Sequence, residues 1–174
     1  KGAGALIVRD GLDLRPLIAG GGQEARRRAG TENVAAIAGF GAAADVARHA
    51  VAAAAEMAAR RDRLEVAARA LAPHVRIVGE GAPRLPNTSC LAVAGRSSEL
   101  LVAAFDLAGL AVSAGSACAS GKVGPSHVLA AMGLDKALSR SAVRVSIGRT
   151  TTDNDIAAFR AAWKSIVRTV ARAA

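Results

Sequence analysis

The sequence is poor in the side chains that build stacking platforms, metal centres or disulfide frameworks. Aromatic residues make up 2% of its 174 positions. Single-stranded nucleic acid is held largely by stacking on such rings. Their scarcity weighs against a nucleic-acid function despite a formal net charge of +9, from 23 Lys and Arg against 14 Asp and Glu. The arginines are also dispersed along helical segments, and only ARRRAG (25–30) forms a run. A solvated basic surface with a bias towards Ala and Arg accounts for the charge.

Two cysteines, Cys90 and Cys118, are too few for a disulfide framework, and no CxxC occurs. The three histidines, His49, His74 and His127, have no ligand spacing with them, so no metal is expected. Reduced thiols and the lack of a recognisable signal peptide point to the cytoplasm. The apolar runs, such as VAAAAEMAA (51–59), meet charge well before the ~20 residues of a membrane span, so no membrane partner is expected. The first residues, KGAGALIVRD, open directly on a strand-like run, as if the chain begins inside a fold.

What is present alternates. GALIVR (4–9) and LRPLIAGGG (14–22) read as strands, the second ending in glycines. A helical pattern runs from about Asn33 to Leu71, with a break, and Pro73 stops it. VRIVG (75–79) and TSCLAVAG (88–95) are strands. SSELLVAAFDLAG (97–109) is a helix with Ser97 or Ser98 as its cap and Gly109 past its end. LAVSAG (110–115) is a strand that enters a small-residue loop. GPSHVLAAMG (124–133) is a short helix with Pro125 in its first turn, and AVRVSIG (142–148) is a strand. In the last helix, Thr152 and Asp155 have capping-box spacing, and Ile156, Phe159, Trp163, Ile166, Val167 and Val170 form one stripe. The fold class is therefore α/β or α+β, a mixed sheet covered by helices.

Three places could carry chemistry. AGGGQEARRRAGTEN (19–33) combines glycines, arginines and Thr31 just before a helix start. Glycines permit close approach of a ligand, and the free amides of a helix start favour an anion. A plain turn and cap with basic surface residues is the other reading. Cys118 stands in SAGSACASG (113–121), where every neighbour is small. It is either an accessible thiol, with Lys122 favouring the thiolate, or a small residue packed in a turn. Cys90, in an apolar strand run, reads as a packed core thiol. Arg144 interrupts a β-branched strand. It either pairs with an internal carboxylate or grips a substrate carboxylate. Arg149 reads as structural, and His127 as solvated or packed.

Together, KGAGAL, GGGQEARRRAGTENV, SAGSACASGKVGPSHVL and VRVSIGRTTT resemble, in this order, the cysteine desulfurases of the NifS/IscS group. These are class V aminotransferases of pyridoxal-phosphate fold type I. The resemblance covers nearly the whole chain. It implies residues 1–45 as the end of a large cofactor-binding domain with the start of a bridging helix, and 46–174 as the C-terminal small domain. It implies conversion of L-cysteine to L-alanine, with Cys118 taking the sulfur as a persulfide. Arg144 matches the substrate-carboxylate arginine. Thr31 matches the residue that reaches the phosphate of pyridoxal 5'-phosphate in the other subunit of a homodimer. A sulfur-acceptor protein, such as an iron–sulfur scaffold or a thiolation partner, is implied as well. In the family, the lysine that forms the Schiff base precedes the segment matched by Lys1, so the resemblance places it outside these residues and implies an inactive chain by itself. The alternatives are a related lyase acting on selenocysteine or another amino acid, and a non-catalytic dimerisation or sulfur-carrier module.

Overall fold

A computed structural model describes residues 2–114 and 126–171, with side chains to Arg168. Cys118, Lys122 and Pro125 lie outside the described residues, as does the side chain of Val170. The chain divides into two compact units, Lys1–Ala52 and Ala53–Ala174.

The first unit ends in helix α1 (Val34–Ala52). Asn33 caps it: its Oδ1 accepts from the Ala36 amide at 3.2 Å. Helix α1 buries no residue, and Val34, Ile37 and Phe40 are exposed. It is the one described helix long and apolar enough to cross a membrane by length and composition. Charge nonetheless interrupts it, at Asp45 and Arg48 one turn apart, so its uncharged run stops well short of the ~20 residues of a span, as the sequence suggests. The expected strands at 4–9 and 14–22 do not form: these residues are irregular or bent and join no strand ladder among the described residues. Apolar alternation alone does not make a strand, because backbone groups need a ladder partner. Ile7 and Leu17 are almost wholly exposed.

The second unit holds helix α2 (Ala54–Leu71), strands β1 (Arg76–Ile77) and β2 (Thr88–Ala92), helix α3 (Ser98–Leu107) and strand β3 (Ser113–Ala114). Helices α4 (His127–Ala131) and α5 (Lys136–Arg140), strand β4 (Ala142–Ser146) and helix α6 (Asp153–Ala171) follow. The break in the long helical pattern falls at Ala53. Helix α5, capped by Asp135, is an element that the sequence pattern does not signal, because five residues are too few for a period. Helix α4 starts at His127, two residues after the position of its proline, with Ser126 as cap. The capping box forms as the spacing predicts: the Asp155 carboxylate accepts from the Thr152 amide at 2.7 Å, and the Thr152 hydroxyl accepts from the Asp155 amide at 3.3 Å.

The four strands form one antiparallel sheet in the order β1-β2-β4-β3. This is the α+β form of the expected class, a sheet with helices on it, but the sheet is antiparallel rather than mixed: no parallel pair occurs among the described residues. Alternation gives it two faces. Ile77, Leu91, Val143 and Val145 join Leu64 and Ala68 of α2, Leu101 and Phe105 of α3, and Phe159, Trp163 and Ile166 of α6 in the main core. There Phe105, Phe159 and Trp163 stack nearly parallel, with centroids 5.5–6.2 Å apart. The Trp163 indole donates to the Ala68 carbonyl at 3.1 Å, so the buried ring leaves no polar group unpaired. On the other face, Val78, Ala92 and Ala142 pack under Leu129, with Cys90, Leu134 and Leu138 at the margin.

One charge is buried on the main-core side. Glu65 of α2 is 5% exposed. Its carboxylate accepts from Arg84 through both nitrogens, at 2.8 and 3.1 Å, and from the Ser89 hydroxyl at 2.8 Å. Burial pushes its pKa up, but the hydrogen bonds from Arg84 and Ser89 and the charges of Arg84 and Arg61 outweigh this and hold it below the usual range. A carboxyl depressed by folding stabilises the fold above its unfolded pKa, about 4.3. That contribution is lost as pH falls through the folded value. Glu65→Gln is expected to cost about 1–3 kcal/mol at neutral pH, since it leaves the Arg84 charge unpaired. Denaturant unfolding followed by the fluorescence of Trp163 checks this. The gap between the two proteins should shrink on acidification below pH 4; a gap that stays constant would show that Glu65 is not ionised in the fold.

Candidate functional site

Strand β4 carries Arg144 between two valines. Val143 and Val145 point into the main core, so the pleat turns Arg144 to the opposite face. There it is exposed. Its cross-strand neighbours are Cys90 on β2 and Ser113 on β3. Arg144 Nη2 donates to Ser113 Oγ at 3.3 Å. The ion pairs among the described residues use other arginines, and none reaches Arg144. Of the two readings the sequence left open, an internal carboxylate partner is thus absent among the described residues. Most of the guanidinium fork remains free to take a planar anion bidentately. Arg149 is exposed, as is His127.

Cys90 is half-buried rather than a core thiol. The pleat places it beside Arg144 at the edge of the smaller cluster, and the strand's apolar look conceals this. Burial pushes its thiol pKa up, and the nearby Arg144 charge pulls it part of the way back. A neutral thiol next to the guanidinium does not compete with an incoming carboxylate.

The segment before α1 is more strained than its glycines suggest. Gly20 and Gly30 have φ of 143° and 95°, as a close-approach turn needs. Yet Glu24, Ala25 and Arg26 also have positive φ, at 50°, 54° and 65°, inside a short 3-10 turn, Gln23–Arg26. Three successive non-glycine residues in the left-handed region cost on the order of 1–2 kcal/mol each. Such strain persists where the surrounding structure holds it, most often at functional sites. The Ala29 amide closes the loop onto the Ile18 carbonyl at 2.9 Å. Arg28 folds back on the carbonyls of Gly30 and Thr31, at 3.2 and 3.5 Å. Thr31 is exposed, and its hydroxyl makes no hydrogen bond among the described residues. A hydroxyl without a partner, Arg26 and Arg27 without ion pairs among the described residues, and a helix start with no acid in its first turn suit a phosphate group.

Ser113 is the site residue that the sequence does not reveal. It opens the SAGSACASG stretch, but only the strand register brings it to Arg144. Thr31 lies in the first unit and Arg144 in the second.

The class V aminotransferase model matches residues 1–159, and the chain belongs to that family. Within it, the chain is 45% identical over 157 residues to a cysteine desulfurase of Gluconacetobacter diazotrophicus, spanning 90% of this chain and 39% of that protein. It is 42% identical over 160 residues to the cysteine desulfurase NifS of Azotobacter vinelandii, again 39% of the relative. Among solved structures, a NifS-like protein from Rickettsia africae superposes with a TM-score of 0.78 at 34% identity, covering 90% of this chain and 41% of that one. The chain thus spans about two fifths of the length of these relatives.

The site makes Cys90 a reporter of Arg144. In a Cys118→Ser background, iodoacetamide labelling of Cys90 should titrate with a pKa above the ordinary thiol value of about 8.5. Arg144→Met should move it higher still. Labelling that titrates at the ordinary value, or that falls in pKa when Arg144 is removed, would contradict the neighbourhood described here.

Proposed function

We propose that this chain forms the part of a pyridoxal-phosphate-dependent cysteine desulfurase that grips the substrate and takes up its sulfur. The observation that carries this is Arg144, an exposed guanidinium on a rigid strand with no carboxylate partner among the described residues and a neutral thiol beside it. Its free donors fit the α-carboxylate of L-cysteine. The four ordered motifs and the family membership supply the rest of the reading.

Pyridoxal 5'-phosphate, when bound, supplies the electron sink that eases cleavage of the carbon–sulfur bond of the substrate. The lysine that would hold it covalently is not among residues 1–174 in this reading. Thr31 would hold the phosphate through its hydroxyl, contributed to the other subunit of a homodimer. Arg144 fixes the carboxylate, so that the sulfur of the substrate is presented in one orientation. The thiolate of Cys118 attacks that sulfur. A new S–S bond forms as the C–S bond breaks, the electron pair goes to the carbon, which takes up a proton in place of the one the substrate thiol gives up, and the products are alanine and a Cys118 persulfide. The persulfide then passes its outer sulfur to an acceptor thiol, on a protein serving iron–sulfur assembly or thiolation, in the cytoplasm. The small residues around Cys118 serve this double task, because a thiol that must visit two places cannot be anchored by large neighbours.

In the full-length protein, Cys118→Ser should bind L-cysteine but yield neither persulfide nor alanine. Arg144→Ala should raise KM for L-cysteine at least about tenfold, or 1.4 kcal/mol. The 174-residue chain alone should release no alanine. Sulfur transfer at the normal rate by Cys118→Ser, or an unchanged KM in Arg144→Ala, would overturn the respective assignment.

A further inference from the structure

We infer that Ser113 is the positioning residue for Arg144, setting the direction in which its guanidinium faces the substrate carboxylate; this rests on the reading of Arg144 given above. Three observations carry it. First, β3 pairs with β4 so that Ser113 stands directly across from Arg144. Second, Ser113 Oγ accepts from Arg144 Nη2 at 3.3 Å, and it is the one side chain bonded to Arg144 among the described residues. Third, the other flanking residue cannot do this work. Cys90 stands across from Arg144 on β2, but its neutral thiol is a weak acceptor, half-buried at the edge of an apolar cluster.

An arginine side chain has many rotamers, and an exposed one samples them freely. Bidentate recognition of a carboxylate needs one plane and one approach. A single hydrogen bond from one terminal nitrogen restricts the rotation of the fork and leaves its remaining donors for the ligand. The hydroxyl is well suited because it accepts without adding charge. A carboxylate at position 113 would hold Arg144 more tightly but would neutralise it and repel the substrate. Ser113 thereby acts on binding through Arg144, without itself touching the reacting atoms.

The test uses the full-length holoenzyme and steady-state kinetics with L-cysteine. Ser113→Ala should raise KM about fivefold while kcat stays within about twofold, the pattern of lost binding common to ground and transition states. Ser113→Thr keeps a hydroxyl on a residue that strands favour, and should restore KM to within about twofold of the parent. Ser113→Ala combined with Arg144→Ala should be no worse than Arg144→Ala alone, because a residue that acts only through another adds nothing once the other is gone. An unchanged KM in Ser113→Ala beside a raised KM in Arg144→Ala would overturn the positioning role alone. An unchanged KM in Arg144→Ala would overturn the carboxylate reading and this inference with it. Additive losses in the double variant would give Ser113 a role independent of Arg144 and overturn the inference.

Discussion

The register of β2 on β4 is the constraint on which the rest of the second unit depends. Five consecutive pairs, from Thr88 with Ser146 to Ala92 with Ala142, fix which side chains face the main core. Side chains alternate strictly along a strand, so a slip of one residue would exchange the two faces. Val143 and Val145 would leave the main core, and Arg144 would enter it. An unpaired guanidinium in an apolar core is far costlier than any packing gain. The position of Arg144 on the open face and the integrity of the core are one and the same condition.

That register is held from the core side. Ser89 points there, between Cys90 and Thr88, and its hydroxyl donates to the buried Glu65 carboxylate. Glu65 sits on α2 and is clamped by Arg84 from the segment between β1 and β2. A slipped β2 would withdraw Ser89 and leave part of this network unsatisfied. Helix α2 is tied in turn to α6, where Trp163 donates to the Ala68 carbonyl. Polar networks of this kind add little net stability, but they penalise every arrangement that breaks them.

How much of this could be read from the sequence varied with the range of the interactions. The capping box at Thr152 and the stripe through Phe159 and Trp163 are local, set within a few residues, and they were legible. So were Gly109, whose φ of 76° follows the end of α3, and a serine cap, which the structure assigns to Ser97 of the two candidates. The strands of the first unit were misread because GALIVR has the composition of a strand, while strand formation depends on a partner that no local pattern names. Cys90 was misread for a related reason. TSCLAVAG is too apolar to show an alternation, so the sequence could not say that its cysteine faces away from the main core. Of the site, Arg144 stood out as a cation among β-branched residues. Ser113 did not, because 31 residues separate it from Arg144 and only the sheet joins them.

The second face of the sheet shows why a cation can sit in such a strand at all. At one end, Val78, Ala92 and Ala142 lie under Leu129, and the face is closed by apolar contact. Towards the other end, Arg144 shares the face with Thr88, Cys90, Ser146 and Ser113, all short and all open or half-open to solvent. Water reaches the guanidinium there, so the strand bears no desolvation cost for it. The small neighbours also leave room beside the fork, which larger side chains would fill. Strand β4 thus serves two solvents: its valines complete a dry core, and between them its arginine is displayed to water. The precision of that display comes from the rigidity of the core behind it.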